Sequence, residues 1–324
     1  MNIDTALSEP GVRLIEFHNW FNRNIKVTFG ALEALTQQLP AGTDEAAFVL
    51  PTGGEPWGKT TRWRNLVAPV KDAATFLAEI GIARATAAFE DYRTGAEAEF
   101  TRAGLAPVRP RADGAGALKG LDAMFGVDPA LITDIAHMAS FFEVARNCVV
   151  HRSNRASPQL VALRADPELA ATLTRWPKRA GKWTLSLPAI TAGEVVDWRP
   201  RHAIMASDVY YRCATLLDRA LVGRLGPEGL ARMAAHWCFF GDPAVACPAK
   251  LDTGTMVRTQ LVGRYGVRST TLAETVALLR ATNSWDAARA EFDRRYPDGP
   301  ETTLARRRRA RRTGGGATRR GRKR

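Results

Sequence analysis

Asp128-Pro129-Ala-Leu-Ile-Thr-Asp-Ile-Ala-His-Met138-Ala-Ser-Phe-Phe142-Glu143-Val-Ala-Arg146-Asn147-Cys-Val-Val-His151-Arg152 is the stretch whose pattern decides the fold. Asp128 offers an acceptor to the backbone N–H groups that a first turn leaves free, and Pro129 stands where no N–H is needed. Leu131, Ile135, Met138, Phe142, Ala145 and Val149 then recur at alternating spacings of four and three, which predicts a helix with one apolar stripe turned to a core. Glu143, Asn147 and His151 follow each other at i, i+4 in a second row, with Arg146 at its border. On an ideal helix Arg146 and His151 diverge by roughly 140°. They converge either through the reach of arginine or if the helix ends at the histidine, and Ser153-Asn154 with Pro158 marks an end there.

Outward from this stretch the chain reads as more helix. Residues 7 to 39 form one long helix carrying Leu14, Phe17, Phe21, Ile25, Leu32 and Leu35, with Phe17, Trp20 and Phe21 expected in the core. A second runs from about Val70 to Arg102 with Phe76, Leu77, Ile80, Ala87 and Phe89 inward, and with Glu90, Asp91, Arg93, Glu97 and Glu99 on a solvated face. A loop and a short helical piece near Leu118 to Phe125 lead into the motif helix. The chain is expected to be irregular from His151 to about 198, where Lys182 to Leu187 alternates as a short strand or an extended cover. A fourth long helix spans about Arg201 to Leu225, and beyond Gly226-Pro227 come short helices at 228–240, 253–264, 271–281 and 284–295. Thr271 and Glu274 have capping-box spacing. The two helices around Gly266 read as plain helical packing before they read as a helix-turn-helix.

Charge is concentrated at one end. The formal net charge is +13, and eleven basic residues with no acidic one lie between Leu304 and Arg324, so the rest of the chain carries only about +2. Nothing there is apolar enough to bury, which predicts a disordered arm with a salt-dependent attraction to RNA, ribosomes or another polyanion. No apolar run approaches the roughly 18 residues a membrane helix needs, and no signal pattern opens the chain. The four cysteines, at 148, 213, 238 and 247, form no CxxC pair. A reduced, cytoplasmic protein away from membranes is the expectation. His236, Cys238 and Cys247 raise a metal question, but among Trp237, Phe239 and Phe240 the cysteines read as buried apolar residues and no metal is expected.

Arg146-Asn147-x-x-x-His151 resembles the signature of the HEPN superfamily: an arginine, often with a polar residue directly after it, then four to six residues and a histidine. The likeness is to a short motif and a helical layout over residues 1–225. It implies an all-α bundle of four long helices with the motif near the end of one of them. It also implies two protomers pairing so that their motifs meet, and metal-independent endoribonuclease activity without a cofactor. Some members of that superfamily are silent binding partners, and bacterial ones commonly act as toxins or in defence against phage, so a neutralising antitoxin or a defence-system partner is implied as well. The expected organisation is a HEPN-like bundle at 1–225, a small helical domain at 226–298 and a disordered Arg-rich tail at 299–324.

The residues support this chemistry apart from the name. RNA is cleaved without a metal when its own 2′-hydroxyl attacks the adjacent phosphate, which requires a base, an acid for the leaving 5′-oxygen and positive charge at the phosphorane oxygens. An imidazole, titrating near pH 6.5 when isolated, suits proton transfer, so His151 takes that role. Arg146 supplies a planar fork of donors that stays charged. Asn147 either fixes the imidazole or holds a phosphate oxygen, and Glu143 holds Arg146 or Asn147. One motif contributes a single histidine, and a homodimer contributes two. Arg152 and Arg155 beside the motif are candidate RNA contacts, together with Arg306, Arg307, Arg308, Arg309, Arg311 and Arg312 of the tail. The basic run through Arg164, Arg175, Lys178, Arg179 and Lys182 suits a phosphate chain or a charged surface equally.

Two alternatives stand beside this one. A catalytically inactive RNA-binding or adaptor protein would use the same fold and tail. A nucleoside triphosphatase is suggested by Gly53-Gly-Glu-Pro-Trp-Gly58-Lys59-Thr60, which matches the phosphate-binding loop pattern in full. Such a loop must open a helix, whereas Pro69 follows soon after. No later strand ends in an aspartate for magnesium, and no strand-helix alternation would build the parallel sheet.

Overall fold

The computed structural model describes residues 1–38, 48–49, 62–63, 67–110, 116–176, 186–244, 251–297 and 299. The fold is all-α, in the order α1 (Glu9–Gln38), α2 (Val67–Arg102), α3 (Leu121–Phe125), α4 (Pro129–His151), α5 (Pro158–Ala165), α6 (Pro167–Arg175), α7 (Pro200–Phe239), α8 (Thr253–Gly263), α9 (Leu272–Ala281) and α10 (Trp285–Arg295). Between α1 and α2, a two-residue pair β1 (Phe48–Val49) lies antiparallel to β2 (Arg62–Trp63). The glycine-rich loop Gly53–Thr60, Lys178 to Leu185, Cys247 and the tail from Pro300 on, including Arg306 to Arg309, Arg311 and Arg312, lie outside the described residues.

The chain forms two compact units. One comprises Pro10–Ala98 and Ala106–Ala220, the other Met1–Glu9, Glu99–Leu105 and the chain from Leu221 onward. The domain edge expected at residue 225 thus falls within α7, whose one non-helical residue is Gly226 at φ 61, just before Pro227. The N-terminal segment, expected in the bundle, belongs with the C-terminal helices. Its Asn2 exchanges backbone hydrogen bonds with Arg268, and Leu7 N–H donates to Tyr265 O.

In the first unit, α2 shows what decides which side of a helix is inside. Its buried apolar residues are Ala78, Ile82, Ala85, Phe89, Tyr92 and Ala96, a continuous stripe at spacings of three and four. Phe76, expected inward, is 62 % exposed, and Ile80 is exposed as well. Two apolar rows run along α2, and the inner one is richer in alanine because α7 passes close by: a Cβ on Gly81 would stand 2.5 Å from that of Ala203. Small residues permit that approach, and the larger ones face out. Arg93, expected on the solvated face, is buried and donates from Nη1 to Ala117 O at 3.0 Å. Trp20, expected in the core, is 46 % exposed and carries the Arg84 guanidinium over its ring at 4.9 Å.

Two helices occupy a stretch expected to be irregular. Ser157 Oγ accepts Leu160 N–H to start α5, and Asp166 Oδ1 accepts Glu168 N–H to start α6, each with proline in the first turn. These are the same signals that open α4. In the second unit the capping box of α9 is complete, with Thr271 Oγ1 accepting Glu274 N–H and the Glu274 carboxylate accepting Thr271 N–H. Glu99, expected exposed, is buried there, accepting from Trp237 Nε1 at 2.7 Å and facing Arg102 Nη1 at 2.7 Å. Cys238 is buried. No described helix is long and apolar enough to cross a membrane.

Candidate active site at the end of helix α4

The motif helix is pinned at both ends. Asp128 Oδ1 accepts Ala130 N–H at 2.9 Å, and Pro129 is the first helical residue. Ile132, Met138, Ala139, Phe141, Phe142, Val144, Ala145 and Cys148 are buried, whereas Leu131, expected on the stripe, is exposed at the N-terminal turn. The helix ends at His151. Arg152 N–H and Asn154 N–H both donate to Cys148 O at 3.0 Å, and Ser153 (φ 48) and Asn154 (φ 61) turn left-handed, so no further helical residue is possible.

This termination leaves His151 exposed, with no side-chain hydrogen bond among the described residues. Arg146 is 26 % exposed and donates from Nη1 to Asn147 Oδ1 at 3.0 Å, while its Nη2 stands 3.9 Å from Glu90 Oε2 of α2. Asn147 therefore engages the arginine rather than the imidazole. Glu143, read as the residue holding Arg146 or Asn147, makes no hydrogen bond or ion pair to either, and Glu90 takes that place. The sequence held a signal for Glu90 only as one charge among several on a face thought to be solvated. Beneath the carboxylates lies Tyr210, fully buried, its hydroxyl 3.1 Å from Thr86 Oγ1 and stacked on Phe89 at 4.9 Å. Burial pushes its ionisation above the ordinary tyrosine range, and the nearby Glu143 and Glu90 charges add to this. It is a neutral floor to the site.

Around His151 the candidate RNA contacts differ in freedom. Arg152 is exposed. Arg155 is also exposed, but its Nη1 donates to Gly193 O at 3.1 Å and its backbone bridges to Val195. Farther along, Arg164 Nε donates to Pro188 O, and Arg175 grips Asp134 through Nε and Nη2 at 3.1 and 2.6 Å, which holds that carboxyl below its ordinary range. Part of the basic run is thus structural.

Behind the helix end, Trp198 is fully buried, edge-on to Phe141 of α4 at 6.3 Å and to His202 at 5.7 Å. His202 accepts Arg199 N–H at its Nδ1, 3.0 Å away, and its Nε2 lies 3.2 Å from Ser186 O. Burial, then the like charge of Arg201, lowers its pKa to about 4. In the unfolded chain an imidazole takes its proton near pH 6.5. The folded form refuses that proton until about pH 4, so this contribution is fully present above pH 6.5 and is lost as the pH falls toward 4, amounting to about 3 kcal/mol. Urea midpoints from pH 7 to 4.5 should therefore fall more steeply for the parent protein than for His202→Gln, and equal slopes would show that the imidazole is not held neutral.

Comparison of the chain with family models, with curated proteins and with solved structures returns no match.

Proposed function

We propose that the chain is a metal-independent endoribonuclease of the HEPN type, acting as a homodimer. The observation that carries this reading is the helix stop at His151: it presents an exposed imidazole, without a side-chain hydrogen bond among the described residues, beyond an arginine whose fork is already oriented by the adjacent Asn147. The imidazole removes the proton of a 2′-hydroxyl, that oxygen attacks the neighbouring phosphorus, and the 5′-oxygen leaves, producing a 2′,3′-cyclic phosphate. Arg146 faces the charge that builds on the phosphorane oxygens. The imidazole of a second protomer returns a proton to the leaving oxygen.

Exposed apolar side chains support a paired state. Phe76 and Ile80 stand one turn apart on one face of α2, and Val150 is exposed beside His151. Phe76→Glu is expected to convert a dimer to monomers in sedimentation velocity and to lower activity with it. A parent chain that sediments as a monomer at high concentration would remove the dimer from the proposal.

The direct test is incubation with mixed cellular RNA in EDTA, reading product ends. Cleavage to 2′,3′-cyclic phosphate ends supports the proposal. RNA retained but uncut favours the silent binding or adaptor protein. The phosphate-loop alternative has less support, because Arg62–Trp63 is extended and α2 starts only at Val67, whereas that loop needs a helix opening at its Lys-Thr end. A toxin or phage-defence role, with its antitoxin or defence-system partner, rests on the resemblance alone.

A further inference from the structure

The corner that follows His151 is built around one buried amide. Asn154 is 4 % exposed, yet every one of its polar groups is used. Its Nδ2 donates to Glu79 Oε1 of α2 at 2.5 Å and to Val196 O at 2.8 Å, and its Oδ1 accepts Trp198 Nε1 at 2.7 Å. Its backbone N–H donates to Cys148 O, and its own carbonyl accepts Val196 N–H at 3.1 Å. One residue thereby ties together the last turn of α4, the middle of α2 and the extended segment before α7.

The chemistry at this position is restrictive. It calls for one acceptor and two donors on a short side chain, in a backbone conformation with positive φ. Among L-residues, asparagine tolerates that conformation best. Two successive left-handed residues, Ser153 and Asn154, are each disfavoured by the clash of Cβ with the following carbonyl oxygen, and the buried bonds offset that cost. Without them the last turn has no reason to stop where it does, and His151 is the residue it displaces.

We infer that Asn154 is a positioning residue for His151, acting through the end of α4, with Trp198 and Glu79 as its anchors. This rests on the ribonuclease reading only for its consequence in catalysis. The geometric part stands apart from it.

The experiment uses the full chain with 13C-labelled histidine, whose His151 ring signal is assigned by its loss in His151→Ala. Three variants are compared: Trp198→Phe, which removes the indole N–H; Asn154→Gly, which tolerates the same positive φ but removes the amide; and Glu79→Gln, which keeps an acceptor for Nδ2. The first two should move the His151 ring signal and lower kcat by about 10-fold to 100-fold with little change in KM, as expected when a reacting group is displaced by a fraction of an ångström to an ångström. Glu79→Gln should leave both near the parent values. A folded Trp198→Phe or Asn154→Gly protein with an unmoved His151 signal would overturn the inference and make Asn154 a stability residue only. If the parent protein cuts no RNA, the ribonuclease reading fails by itself, and the ring signal still decides whether Asn154 positions the histidine.

Discussion

Replacing His151 by alanine is expected to slow RNA cleavage in EDTA by about 10²–10⁴-fold, the usual worth of a positioned proton-transfer group, while the melting temperature hardly moves. The second half of that expectation makes the first informative. His151 is exposed, is the last residue of its helix and makes no side-chain hydrogen bond among the described residues, so its removal falls in the class of surface changes within about 0.5 kcal/mol. Lost activity would therefore report chemistry rather than unfolding. Arg146→Ala should behave alike, since its ion pair to Glu90 is long, at 3.9 Å, and partly exposed, and such pairs contribute little. Arg146→Lys should not rescue it, because a point charge cannot reproduce the fork that Asn147 Oδ1 orients. Activity that survives both alanine changes would place the chemistry elsewhere in the chain.

The largest stability effect is expected in the other unit. Arg264→Ala should cost about 3–5 kcal/mol, read as a large fall in the urea midpoint. Glu9, the first residue of α1, is 0 % exposed, and its two carboxylate oxygens receive Arg264 Nε at 2.6 Å and Nη2 at 2.8 Å. Truncating the arginine removes the guanidinium that faces a buried carboxylate, which costs more than the pair itself contributes. Exchanging both partners, as in Glu9→Met with Arg264→Met, should recover most of the loss, because the desolvation of both charges disappears with them. A loss under about 1 kcal/mol for the single change would mean that water or the other neighbours of Glu9, Tyr265 among them, carry its charge once the arginine is gone.

These two sites differ in how far they could be read from the chain. The helix that carries Arg146 and His151 announces its start through Asp128-Pro129 and its stop through Ser153-Asn154, because capping groups and the backbone they satisfy lie within a few residues of each other. The same local signals at Ser157-Pro158 and Asp166-Pro167 mark α5 and α6 and were open to the same reading. The Glu9–Arg264 pair offers no such signal, since its members stand 255 residues apart.

The sequence by itself determined that the protein is all-helical, where its long helices run, and that an arginine, an asparagine and a histidine lie along the end of one of them. Periodicity and capping carry that information because both act over one or two turns. Only the tertiary structure decided which face of α2 is inside, that Glu90 rather than Glu143 stands opposite Arg146, and that Asn154 holds the corner after His151. A helix with two apolar rows buries the one whose small side chains let a neighbour approach, as Gly81 does against Ala203. A buried polar group takes its partner from whatever segment the fold brings near, as Asn154 does from Glu79 and Trp198. Both choices depend on distances through space that spacing along the chain does not record.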